Sequence, residues 1–147
     1  MLSRRIATLA VFLSISWASA HAHHLAVVTH PHNTASGVTS AELAKIFKSE
    51  MKSWPDGHDI TVVLNRNSVS SMHILERLAG MAEGKTQAFF AAHKGFFVLA
   101  DSDAEVLDYV ASKPGAMGLL DVHDVDDRVK VIKVDGKLPL EKAYLPH

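Results

Sequence analysis

From Leu25 to Val134 the chain alternates short β-branched apolar runs with capped amphipathic stretches, and a layered α/β architecture buries both kinds of element at once. Leu25 to Thr29 reads as a strand that stops at His30-Pro31-His32-Asn33. Ser40 to Ser49 reads as a helix: Thr39 and Glu42 make a capping box, and Leu43, Ile46 and Phe47 form its buried stripe. Trp54-Pro55-Asp56-Gly57 is a turn in which the proline presets φ. A strand at Ile60 to Leu64 and a helix at Ser70 to Ala79 come next. Beyond the Gly80 to Gly84 break, Thr86 to His93 is expected to be helical, followed by the apolar run Phe96 to Leu99. A second capping box, Ser102 with Glu105, opens a helix carrying Val106, Leu107 and Val110, which Lys113-Pro114-Gly115 ends. Ala116 to Leu120 is a short strand. Val129 to Val134 alternates as one half-buried strand, and the tail to His147 is expected to be irregular.

The first twenty residues stand outside this pattern. Arg4 and Arg5 precede the apolar run Ile6 to Ile15 and then Ala18-Ser19-Ala20, the arrangement of a cleaved secretory signal; the run is shorter than the roughly 20 residues a membrane span needs. Residues 21–147 are then expected to form a single α/β domain, exported to the periplasm and not inserted in the membrane. The chain has no cysteine, so its core must hold without disulfides. Fifteen Lys and Arg against sixteen Asp and Glu, with no basic run, argue against nucleic acid as a partner.

The segment from Ile60 to Gly80 concentrates anion chemistry. A β-branched strand runs through Arg66 into a serine-rich turn and then a helix, whose first-turn N–H groups carry partial positive charge. Arg66, Ser68, Ser70 and Ser71 are the candidate oxyanion-binding residues. Plainer readings stand beside these: Arg66 is solvated or paired with an acid such as Glu76, and Ser70 and Ser71 cap the helix. Capping and anion binding use the same N–H groups, so the residues alone leave both open.

Five segments in fixed order carry a family resemblance: Thr39 to Phe47, Trp54-Pro55-Asp56-Gly57, the strand ending at Arg66 with its serine turn, Lys113-Pro114-Gly115-Ala116-Met117-Gly118-Leu119-Leu120, and Asp135-Gly136-Lys137-Leu138-Pro139. Together they resemble the phosphate-binding-protein-like family of type 2 periplasmic solute-binding proteins, of which this chain looks like a short, single-lobe member. The resemblance implies a mixed sheet flanked by helices. It also implies a phosphate-like ligand, held by Arg66 and by the turn serine Ser70 at a helix N-terminus, and an ABC permease as partner. Ser68 stands where the family usually has an aspartate that accepts a proton from the anion. Ser71 and Met72 replace its glycine and threonine. The full-length proteins have two lobes, whereas this chain has length for one.

Five of the ten histidines, His21, His23, His24, His30 and His32, fall within a dozen positions. Cleavage after Ala20 would leave His21-Ala22-His23 as a terminus whose amine, amides and imidazole suit square-planar Cu(II) or Ni(II), with His21 and His23 as the metal residues; cleavage after Ala22 would abolish it. The plainer reading is a polar terminus. His30 and His32 follow the first strand, where α/β ligands gather, and are expected either to flank the anion or a metal, or simply to be exposed. Phe89-Phe90 and Phe96-Phe97 read as core, and Asp121 to Asp127 as a solvated acidic turn without the glycine and glutamate of a calcium loop. No Gly-x-Ser-x-Gly, His-Glu-x-x-His or phosphate-loop motif occurs, so no enzyme activity and no cofactor are expected.

Two functions fit these features. One is a periplasmic solute-binding protein for phosphate or a similar oxyanion, serving an ABC transporter. The other is an envelope adaptor or sensor with the same fold, no transport role and a histidine-rich metal-binding terminus. The sequence does not decide the ligand, the cleavage site, the partner or the oligomeric state.

Overall fold

The computed structural model describes residues 24–146. The signal segment and the candidate metal residues His21 and His23 lie outside this range. Strand β1 (Leu25–Thr29), β3 (Thr61–Asn65), β4 (Phe97–Ala100), β5 (Ala116–Asp121) and the two-residue β6 (Lys130–Val131) form one mixed sheet in the order β4-β3-β5-β1-β6. β3 runs parallel to β4 and β5, whereas β1 is antiparallel to β5 and β6. A second, two-stranded parallel pair joins β2 (Gly37–Val38) to β7 (Lys133–Val134).

Helices cover both faces because successive strand residues point to opposite sides. On one face Val27, Val62, Leu64, Met117 and Leu119 meet Leu43, Ile46 and Phe47 of α1 (Ser40–Phe47), together with Ile74, Leu75 and Leu78 of α2 (Val69–Ala79). On the other, Ala26, Val28, Val63 and Leu120 meet Val106, Leu107 and Val110 of α4 (Asp103–Ser112). α3 (Thr86–Ala92) packs Phe89 and Phe90 against Phe97 on the first face.

The local signals act where they were read. Thr39 Oγ1 accepts from Glu42 N–H and the Glu42 carboxylate accepts from Thr39 N–H, closing the first capping box. The second box closes one residue early: Ser102 Oγ accepts from Glu105 N–H, but the Glu105 carboxylate takes the N–H of Asp101. The turn at Trp54 is anchored by Trp54 Nε1–H donating to the Gly115 carbonyl at 2.9 Å. At Gly115 φ is +85°, and a Cβ would run into the Asp59 carbonyl, so this residue must be glycine.

One expectation fails at Val129 to Val134, which is two strands in two sheets. Val131 still pairs with β1, but the ladder stops at Ile132, whose N–H donates to Val27 O. The reciprocal bond is made through a side chain. Tyr144 Oη accepts from Val27 N–H at 3.0 Å and donates to Ile132 O at 2.7 Å. The tail is therefore irregular in backbone yet fixed, with Tyr144 and Leu145 buried in the core.

Candidate functional site

The corner between β3 and α2 is built on Asn65, which the sequence reading passed over. Asn65 Oδ1 accepts from Asn67 N–H and its carbonyl accepts from Ser68 N–H, tightening the turn that follows the strand. Its Nδ2 reaches across to Asp103 Oδ1 at 2.9 Å, tying β3 to the first turn of α4. Asn67 Nδ2 donates to the Asp101 carbonyl. The signal for this brace was an Asn-x-Asn pair after a strand and an Asp-Ser-Asp before a helix, and neither carries ligand chemistry on its face.

Each candidate residue has a definite place. Ser68 is the N-cap of α2, its Oγ accepting from Ser71 N–H at 3.1 Å. Ser71 is buried, and its Oγ has no hydrogen-bond partner among the described residues. Ser70 borders the cavity at the helix start. Arg66 is not paired with Glu76: its Nε lies 2.8 Å from Asp101 Oδ1 and its Nη2 donates to the Leu99 carbonyl at 3.2 Å. Both side chains are more than half exposed, so this pair is worth only about 0–1 kcal/mol.

The structure splits these residues between two hollows. Ser68 and Ser70 line a cavity of about 380 Å³ together with Asn65, Asp103, Asp121 and Asp124. Arg66 lines the neighbouring hollow with Met72, His73, Glu76 and Glu83, and Asn67 and Val69 form the shared rim. The Asp121 to Asp127 segment is thus only partly a solvated turn. Asp126 pairs with Arg128 at 3.0 Å, whereas Asp121 and Asp124 face the cavity. Burial, a hydrogen bond with Asp103 and the charges of Asp103 and Asp121 together hold the Asp124 carboxyl above its ordinary range. Asp124 therefore keeps its proton to a higher pH than an isolated aspartate does.

His30 and His32 do not flank this corner. β1 is antiparallel to β5, with Leu25 opposite Asp121 and Thr29 opposite Met117, so its carboxyl end lies at the far edge of the sheet from Arg66. Among the described residues no group of three or more His, Asp or Glu is placed to hold a metal ion.

Residues 20–144 match the PBP superfamily domain, and the chain belongs to that family. No curated protein matches it. Among solved structures it is similar to a Clostridium perfringens protein assigned as a phosphate ABC transporter substrate-binding protein and solved with phosphate bound (TM-score 0.64, 21% identity, 79% of this chain and 46% of that one). It is also similar to an ABC-type phosphate transport receptor of Vibrio cholerae (TM-score 0.65, 21% identity, 79% and 48%) and to PstS of Borrelia burgdorferi (TM-score 0.62, 20% identity, 79% and 49%). The chain spans about half the length of these relatives, and the shared feature at this identity is the fold. Among the described residues no helix is long and apolar enough to cross a membrane.

Proposed function

We propose that this chain is an exported, periplasmic solute-binding lobe that takes phosphate or a similar protonated oxyanion at the N-terminus of α2 and works with an ABC permease. The observation that carries the reading is the cavity itself. It lies at the carboxyl ends of β3 and β5 and is bordered by Ser68, Val69 and Ser70, where the first-turn N–H groups of α2 lack intrahelical acceptors. Arg66 sits one hollow away. Its exposed pair with Asp101 is weak enough for an anion to displace, so Arg66 is the charged clamp of a filled site. The carboxylates opposite would repel a fully ionised anion but accept a hydrogen bond from one that carries a proton. Asp103 and Asp124 thus offer the acceptor missing at Ser68, and they favour hydrogen phosphate over sulfate. Calorimetry with phosphate at low salt tests the assignment: Arg66→Ala should reduce affinity at least tenfold, and unchanged affinity would remove Arg66 from the site.

A second reading rests on the exposed apolar rim. Val69 is 85% exposed beside the cavity, and Leu140 is 67% exposed on the tail. In this reading the lobe is an envelope adaptor that docks another protein through that rim, with His21 and His23 forming a Cu(II) or Ni(II) site at the mature terminus. Copper or nickel titration of protein with a sequenced N-terminus tests the metal part, since the reading requires a tight site that disappears when residues 21–24 are deleted.

A further inference from the structure

At the edge of the sheet opposite α2's N-terminus, three histidines border one small cavity. His30 follows β1 directly and is only 8% exposed. The N–H of His32 donates to His30 Nδ1 at 3.1 Å, so neutral His30 carries its proton on Nε2 and presents a donor there. The His30 and His32 rings stand edge-on, with centroids 5.2 Å apart. From the Trp54 turn comes His58, whose Nδ1 lies 3.1 Å from Asp56 Oδ1. Asn33 and the Pro114–Gly115 segment complete a cavity of about 150 Å³.

Asn33 supplies the second observation. It is 6% exposed, and its amide orientation is fixed because Oδ1 accepts from Ala35 N–H at 2.9 Å. Its Nδ2 is buried with no acceptor among the described residues, and Asn33 lines the cavity. A buried donor left unsatisfied is destabilising, so an acceptor brought within its reach would recover that cost. The donors are not spaced as ligands for a metal ion.

We propose that this cavity binds a small anion, a carboxylate or an inorganic oxyanion, held by Asn33 Nδ2, by the Nε2–H of neutral His30 and by the protonated rings of His32 and His58. The groups facing it are these three rings and the Asp56 carboxylate, and outside the lining Lys130 Nζ donates to the Asn33 carbonyl at 2.8 Å. With His32 and His58 charged, the balance around the cavity is positive despite Asp56. In the empty cavity, burial and the neighbouring charges of His32 and His58 hold His30 below its ordinary value. His30 thus stays neutral and keeps its Nδ1 as an acceptor, while an anion beside His32 and His58 favours their charged forms, so anion uptake and proton uptake promote one another.

Sulfate and acetate titrations of the whole protein, by calorimetry at about pH 5.5 and about pH 8 on either side of the ordinary histidine pKa, test the proposal. Affinity should rise on acidification by up to about tenfold per pH unit for each proton taken up. Binding by acetate alone identifies a carboxylate site, and binding by sulfate alone or by both identifies an oxyanion site. Asn33→Asp keeps the acceptor for Ala35 but replaces the orphan donor with an oxygen, and should abolish binding. The exposed His58→Gln should weaken it, and serves if Asn33→Asp does not fold. Arg66→Ala should leave it unchanged, which separates this cavity from the α2 corner. Affinity that is flat with pH, that survives in folded Asn33→Asp and in His58→Gln, or that is lost in Arg66→Ala overturns the proposal.

Discussion

Replacing Tyr144 with phenylalanine removes one oxygen atom from the place where the main sheet gives way to the small one. That hydroxyl bridges Val27 N–H and Ile132 C=O, at 3.0 and 2.7 Å, and stands in for the ladder bond the two residues would otherwise make. Val27 and Ile132 are fully buried, so water cannot replace the lost partner. Two buried groups left unpaired, at about 1–3 kcal/mol each, put the expected loss near 3 kcal/mol. For a domain of this size that lowers the melting midpoint by about 10 °C. Urea denaturation followed by tryptophan fluorescence measures it, since buried Trp54 reports on the same core cluster. A loss below about 0.5 kcal/mol would refute the bridging argument. The pH dependence gives an independent check. Burial pushes the Tyr144 hydroxyl from 10.0 up to about 12, so its contribution is complete below about pH 10 and is lost as pH rises towards 12. In Tyr144→Phe that alkaline decline should flatten.

Gly118→Ala would place a Cβ 2.9 Å from both Val106 Cγ1 and the Val63 carbonyl, in the seam between β5 and α4; an equilibrium unfolding curve should show a loss of about 1–3 kcal/mol. Asp124→Asn should stabilise the protein at neutral pH. The folded-state carboxyl is held above 3.8, so wild type loses stability as pH rises through that raised value while the variant does not, and the gap between their denaturation midpoints should close as pH falls towards 3.8. A gap that persists or widens in acid would contradict the raised value at Asp124.

The sequence by itself determined what is decided within a few residues. The caps at Thr39 and Ser102 join side chains to N–H groups three positions away, and the Trp54 turn closes through Gly57 N–H to the Trp54 carbonyl. The alternation of these elements marked an α/β lobe, and the strand, arginine and serine turn marked the corner where a ligand would sit. Only the tertiary structure decided which groups meet there. Arg66 finds Asp101 thirty-five positions on, and the cavity beside it gathers Asp103 from α4, Asp121 from β5 and Asp124 from the turn after β5. The direction of β1 is likewise a matter of pairing: apolar residues in a strand read the same in either orientation, and its antiparallel alignment with β5 moved His30 and His32 to the opposite edge. Val129 to Val134 carried one continuous alternation, yet its two halves pair with different partners, because hydrogen bonds between strands depend on neighbours distant in the chain.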